Sequence, residues 1–544
     1  MTIFVKMKNI FTVAGLCLLI LAFMTGCTKK FDSINTNPAG YSKTNFEPNY
    51  VLTTVQLAYT GSTDFSYETW RANLIYCSTM MQGFSTVISY WAGDKYILNP
   101  VYTASYWGFG SSQGPPLGNG GDGAYPEQVK PVVDLIQFTK DLPKYKNLYQ
   151  IARIMRALVM ERITDLYGDC PYSEAGMGYY NKTFFPKYDK QQDIYTDLLK
   201  EIDDATSKLD PNADKPSGDV FYNGNIAQWQ RFGNTLLLRV AMRLVKVDAA
   251  TAQSYAQKAV GHTMTGNGDN AFVKGDASGG RITINRNSQV LLGDGGQENI
   301  YTKWSKTFID MLKPVSDPRL AKIAITHPTW DNKQNPLGGN DTPAVQKGMP
   351  NGKDLSGIAA QDISKDPSYT TIADYSSPSQ YLTNRNGPTF ILTYAESELL
   401  LAEAAERWGV GGTAAQHYHD GVKAAITYLA QYDDKAGIDD VTAENFVTAH
   451  PYDPAHGLEM INTQYWIHTN TMLDFYESWS NWRRSGFPVL VPVVYPNNNT
   501  NGTIPRRFPY PVDEANTNPV NYKIAHDAVT GGDNLTGRVW WDKQ

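Results

Sequence analysis

Cysteine is scarce in this chain. Only Cys17, Cys27, Cys77 and Cys170 occur among 544 residues. None falls in a C-x-x-C pair, so a disulfide framework, a zinc ribbon and a dithiol redox centre are excluded as organising devices. Cys77 and Cys170 sit in Tyr-, Met- and Leu-rich surroundings and read as buried thiols; a bridge between them is left open. No long Lys/Arg run follows residue 30, and the formal net charge is -6. That argues against nucleic acid as the main partner, because phosphate neutralisation needs clustered cations. Beyond the amino terminus no apolar run approaches the roughly 20 residues a spanning helix takes. Sequence patterns for catalysis are missing as well. There is no G-x-x-x-x-G-K-[ST] loop, no G-x-S-x-G elbow and no H-E-x-x-H helix. Of eight histidines only His417 and His419 are close, and two apart on a helix they point to different faces, so no shared metal is expected. Asp203-Asp204, Asp433-Asp434 and Asp439-Asp440 are adjacent carboxylates that do not converge on a helix. No catalytic residue, metal ligand or cofactor site is therefore assigned, although a carboxylate pair brought across a cleft by the fold stays open.

Aromatic residues are plentiful, with Tyr 34, Phe 20 and Trp 12. Tyrosine joins an apolar ring to a polar tip and suits surfaces that grip partly polar ligands. At the amino terminus Lys6 and Lys8 precede an uncharged apolar run from Ile10 to Phe23, the pattern of a signal peptide. Met24-Thr25-Gly26-Cys27 resembles the lipobox of bacterial lipoproteins, with Met24 in place of the usual Leu. The resemblance implies removal of residues 1–26 and lipidation of Cys27. Each buried methylene contributes about 0.8 kcal/mol, so two or more acyl chains hold a soluble domain firmly on a membrane. Met7-Lys8-Asn9 also opens a usual signal peptide, so Met7 competes with Met1 as the start. Residues 27–50, polar and rich in Asn, Ser and Thr, read as a tether, and residues 51–544 as one folded domain.

Apolar residues at helical spacing predict two helices between Val51 and Met81. The clearest stripe follows: Leu148, Ile151, Met155, Leu158 and Leu166, ended by Gly168 with Pro171 beyond. Further helices are predicted over Asp189 to Leu209, Gly224 to Val247, Ala249 to Val260, Pro388 to Trp408 and Ala414 to Tyr432. The expected fold class is mostly α. Alanine-rich helix pairs at about 147–261 and 388–432 resemble tetratricopeptide hairpins without the full consensus. Residues 262–387, rich in Gly, Asn, Asp and Pro, read as an irregular region inserted between the pairs. A second irregular stretch, Ser89 to Gly123, crowds Trp91, Tyr96, Tyr102, Tyr106, Trp107 and Phe109 into a loop composition.

An ordered set of segments carries a family resemblance. They are Leu166-Tyr167-Gly168-Asp169-Cys170-Pro171-Tyr172, Trp229-Gln230-Arg231-Phe232-Gly233-Asn234 through Arg239, Ser316-Asp317-Pro318-Arg319-Leu320, and Tyr394-Ala395-Glu396-Ser397-Glu398-Leu399 through Ala404. Near the end come Glu477-Ser478-Trp479-Ser480-Asn481-Trp482-Arg483-Arg484, Ile504-Pro505-Arg506-Arg507-Phe508, Gly531-Gly532-Asp533-Asn534-Leu535 and Val539-Trp540-Trp541-Asp542. With the lipobox, the chain resembles the SusD/RagB family of Bacteroidetes outer-membrane lipoproteins over nearly its whole length. The resemblance implies a SusD-like fold, helix pairs packed against an irregular, loop-rich ligand-binding half. It implies a surface-facing outer-membrane lipoprotein that captures oligosaccharide or peptide and delivers it to a SusC-like TonB-dependent transporter. It is not expected to be an enzyme.

Sugar rings stack their C–H faces on aromatic rings and need polar partners for their hydroxyls. Trp91, Tyr96, Tyr102, Trp107, Tyr301, Trp304 and Trp330 are the expected ligand contacts. Trp479, Trp482, Arg483 and Arg484 are expected to pack and pair between helices. Two rival readings stand beside this one: a surface-anchored glycoside hydrolase or peptidase, and a helical repeat scaffold that binds only protein.

Overall fold

Helices dominate the architecture. The computed structural model describes residues 46–62, 68–108, 123–294 and 296–543, apart from the side chains of 281 and 282. The leader, Cys27, nearly all of the tether and Phe109 lie outside the described residues. The longer helices are α1 (Asn49–Tyr59), α2 (Lys130–Thr139), α3 (Lys146–Tyr167), α4 (Gln191–Ser207), α5 (Ile226–Met242), α6 (Ala249–Ala259), α7 (Tyr394–Trp408), α8 (Ala414–Thr427), α9 (Asp440–Ala449), α10 (Gly457–Met472), α11 (Phe475–Ser485) and α12 (Pro519–Ala528). Thr69–Ser78 is π-helical. Residues Asn49–Gln544 form one unit, and α1 starts inside the stretch read as tether.

Consecutive helices pack side by side: α3 on α4, α4 on α5, α5 on α6, and later α7 on α8, α7 on α10 and α10 on α11. The apolar stripe of α3 is buried from Leu148 to Leu166. Gly168 stops that helix at φ 85°, a conformation glycine adopts without Cβ strain. At α7 the Thr393 hydroxyl accepts from the Glu396 amide while the Glu396 carboxylate accepts from the Thr393 amide, a reciprocal cap.

The expected helix start at Pro388 is corrected by this cap. Pro388–Leu392 is a strand, β9, paired antiparallel with β4 (Ala271–Lys274) from Ala271↔Leu392 to Lys274↔Pro388. The strand pairing holds residues 388–392 extended, so the helix begins only at the Thr393 cap. The β4–β9 pair closes off the irregular region at both ends. Inside it, β5 (Thr302–Trp304) pairs with β1 (Phe84–Thr86), while β6 (Ala324–Trp330) lies between β7 (Pro336–Asn340) and β8 (Ser377–Pro378). The short pair β2 (Cys170–Pro171) and β3 (Tyr188–Asp189) joins α3 to α4. Cys77 and Cys170 are buried free thiols.

Charges are buried where the helices meet. Arg239 on α5 donates from Nη2 to Glu161 Oε2 on α3 at 2.6 Å. Arg243, one turn on, donates to Asp165 at 3.1 Å and pairs with Glu477 on α11. Tyr465 on α10 donates to Glu477 at 2.8 Å and to Glu396 at 3.1 Å. Buried ions are tolerated only when paired and hydrogen-bonded, so this network fixes the helices in one mutual arrangement.

Candidate ligand-binding site

The antiparallel β1–β5 pair places the helical turn Glu298–Tyr301 beside residues 88–96, since β5 begins directly after that turn. On the turn sits Glu298, buried at 1% exposure. Its Oε1 accepts three donors: the Trp70 indole N–H at 2.9 Å, the Tyr90 hydroxyl at 2.7 Å and the Trp91 indole N–H at 3.3 Å. A buried carboxylate needs such donors, and it orients their rings in return. Trp70 and Tyr90 meet edge to face, centroids 5.9 Å apart at 82°. Both are half-buried. Burial, followed by the contact with Glu298, raises the Tyr90 hydroxyl well above its ordinary range, so it remains a proton donor.

Three expected contacts are half-buried. Tyr102 follows the Asn99 side-chain cap, and the Arg71 guanidinium lies 5.1 Å from its ring centroid. Tyr301 ends the Glu298 turn and packs on Val87, Met349, Ile363 and Tyr375. Trp330 closes β6 opposite Pro336, and among the described residues no hydrogen bond or ring contact joins it to the other rings.

The other four expected contacts are buried. Trp91, Tyr96 and Trp304 have 0% exposure and Trp107 has 2%, so none offers a face to a ligand in this conformation. Trp304 stacks on Phe308 at 4.5 Å and donates to the Ile323 carbonyl at 2.9 Å. Trp107 is enclosed by Tyr125, Tyr167, Tyr188 and Tyr510. The Tyr96 hydroxyl accepts from the Val493 amide at 3.2 Å, and Trp91 spends its indole N–H on Glu298. A ring whose polar atom finds a protein partner gains most by burial, and these three do so.

Sequence reading missed Glu298, Trp70 and Tyr90 as a unit. Glu298 stands 207 residues from Trp91, so no local pattern links them; the Tyr90-Trp91 doublet was the one local signal. Among the described residues no three His, Cys, Asp or Glu side chains are grouped to hold a metal ion. His417 bonds Glu398 at 2.6 Å, whereas His419 bonds Asp420 at 3.0 Å and Glu444 at 2.9 Å. No described helix is long and apolar enough to cross a membrane.

Residues 120–511 match a SusD-like family described as "Starch-binding associating with outer membrane". A chitin-binding protein of solved structure is 32% identical, with TM-score 0.76, covering 92% of this chain and 100% of its own. A Bacteroidetes SusD-like protein is 24% identical with TM-score 0.77, over 92% and 100% of the two chains. A chitin-binding SusD homolog from Flavobacterium johnsoniae is 22% identical with TM-score 0.71, over 92% and 99%. No curated protein matches the chain.

Proposed function

The chain belongs to the SusD-like family, and from that premise we propose that it is an outer-membrane lipoprotein that captures glycan at the cell surface without cleaving it. The observation that supports this reading is the half-buried aromatic pair Trp70 and Tyr90, fixed on the buried Glu298. An indole face takes the C–H side of a sugar ring; polar atoms beside it take hydroxyls. Tyr102, Tyr301 and Trp330 extend the proposed contact surface. Oligomers of N-acetylglucosamine are the first ligand class, because the relative at 32% identity is a chitin-binding protein. In this reading Cys27 carries the lipid, and the bound glycan passes to a SusC-like TonB-dependent transporter.

The test is calorimetric titration of the chain from Thr28 onward with chitin oligosaccharides, starch oligosaccharides and short peptides. Glycan binding weakened about tenfold by Trp70→Ala supports the reading, that being the order of one lost ring contact. Binding of peptide alone, glycan binding indifferent to Trp70→Ala and Trp330→Ala, or release of shortened sugars would each overturn it. Copurification of a large barrel protein with the native lipoprotein tests the transporter step.

A further inference from the structure

A concave site lies among the helix ends, lined by none of Trp70, Tyr90, Trp91 and Glu298. The cavity measures about 250 Å³ and opens where the end of α3, the start of α4, the end of α12 and the C-terminal tail meet. Two of its lining residues, Tyr167 and Tyr510, also enclose Trp107. Its volume falls just below the usual range of about 300–1,000 Å³ for drug-sized ligands, so it suits one small ring rather than a chain.

The walls are held rigidly. Gly168 turns the chain out of α3, and the following Asp169 accepts the Gln191 amide on Oδ1 at 2.8 Å. Tyr510 donates to the Asp169 carbonyl at 2.7 Å. Arg507, buried, spends itself on the Tyr167 carbonyl at 2.7 Å and on Asp533. Against this frame several groups keep unused capacity among the described residues. Asp169 Oδ2 has no protein donor, and burial raises that carboxyl above its ordinary range. The half-buried Trp540 ring lines the cavity, and its indole N–H makes no hydrogen bond. Arg538 gives Nη1 to Asp542 at 2.8 Å and keeps its other nitrogens. At the rim Lys190 and Lys543 are exposed and their ammonium groups are unpaired.

Charge decides the ligand class. Arg507 is balanced by Asp533, whereas Asp542 serves both Arg506 and Arg538. Of the lining residues Asp169 alone is a carboxylate beside Lys190 and Lys543, with Asp193 acting on it from the first turn of α4. The positive end of the α4 dipole adds to the excess. An aromatic face, a free carboxylate oxygen and a guanidinium suit a hydroxylated ring; two exposed ammonium groups and a guanidinium that shares its aspartate suit an anion. We propose that this cavity binds a single sugar ring bearing a carboxylate, a uronate, at a site independent of the Glu298 surface.

The experiment is saturation-transfer NMR on the chain from Thr28 onward, which contains every described residue, with D-glucuronate, D-glucose and acetate as probes. Expected are saturable millimolar binding of glucuronate and affinity at least about tenfold lower for glucose and for acetate, the order of one lost charged or ring contact. The Lys190→Ala, Lys543→Ala double variant, altered only at exposed side chains, is expected to lose glucuronate about tenfold with an unchanged thermal midpoint. Trp70→Ala is expected to keep glucuronate binding, so failure of the glycan-capture reading and failure of this one are distinguishable. Absence of saturable glucuronate binding, equal affinity for glucose or acetate, or wild-type affinity in the double lysine variant would overturn the proposal.

Discussion

Arg484 and Glu403 form a two-pronged ion pair inside the protein, Nη1 to Oε1 and Nη2 to Oε2, both at 2.6 Å. The partners are 81 residues apart, on α11 and α7. Asn462 donates to Glu403 at 3.2 Å, and Arg407 at 2.7 Å, so the carboxylate is well satisfied. Burial by itself raises the Glu403 carboxyl; Arg484 and then Arg407 override it and hold it down at about 2. Breaking such a pair leaves a buried charge uncompensated, at about 3–5 kcal/mol. Glu403→Gln is therefore expected to lower the denaturation free energy by that order at pH 7. The sign with pH follows from the depressed folded value. The contribution is complete above the ordinary carboxylate value of 4.5 and is lost as pH falls toward 2. The gap between wild type and variant should narrow across that window in urea titrations; a constant gap would show that the charge is not what stabilises the pair.

Substitutions at Glu298 and Trp304 test whether the proposed binding surface can be separated from folding. Replacing Glu298 with Ala removes the shared acceptor of Trp70, Tyr90 and Trp91. Glycan affinity should drop at least about tenfold as the half-buried rings lose their orientation. Trp304→Ala empties a fully buried site and should cost about 3–5 kcal/mol of stability. Whatever Trp304→Ala protein stays folded should bind glycan nearly normally. Calorimetry on both variants, paired with thermal melts, checks this; affinity loss in Trp304→Ala equal to that in Glu298→Ala would contradict the assignment.

Periodicity exposed α3 to α8 because their buried stripes are apolar. Leu148, Ile151, Met155 and Leu158 announce a helix by spacing alone. The Trp479 and Arg484 motif was readable as packing, and both residues are buried. By contrast, α10 buries the consecutive His468, Thr469, Asn470 and Thr471 at 0% exposure, so it is enclosed on all sides there, polar residues included, and shows no apolar stripe. His468 is held neutral there, its ring pushed down to about 3 chiefly by burial, and bonds Thr393 at 2.8 Å. The site was less legible. Aromatic density marks a region rich in rings, but it does not say which rings face water. Trp91 and Tyr90 are neighbours in sequence, one buried and one half-exposed. Their common acceptor comes from a distant turn, and only the β1–β5 pairing brings it there.

The proposed lipid anchor rests on Cys27. Cys27→Ser should abolish acyl labelling and leave the chain in the soluble fraction after cell lysis, since membrane hold by acyl chains scales with buried methylenes. Labelling with a palmitate analogue followed by fractionation reads this. Retention of the serine variant in outer-membrane fractions would mean that another contact, not the lipid, anchors it.

Lys303 is a basic group buried with a hydroxyl for company. It stands on β5 beside Trp304, 1% exposed, and its Nζ donates to Ser377 at 2.8 Å. Burial pushes its ammonium down to about 7 from an ordinary 10.5. Between those values the unfolded chain binds the proton that the folded chain releases, so stability rises with pH across that window. Below pH 7 both states are protonated and the full penalty of a buried cation applies. Lys303→Met, which keeps the apolar stem and removes the charge, should therefore be more stable than wild type at pH 6, by at least about 1 kcal/mol. That advantage should shrink steadily as pH rises toward 10. Urea titrations of both proteins at pH 6, 8 and 10 measure it. A destabilised Lys303→Met protein at pH 6 would instead mean that the ammonium is a needed partner of Ser377, and that the β5–β8 contact depends on its charge.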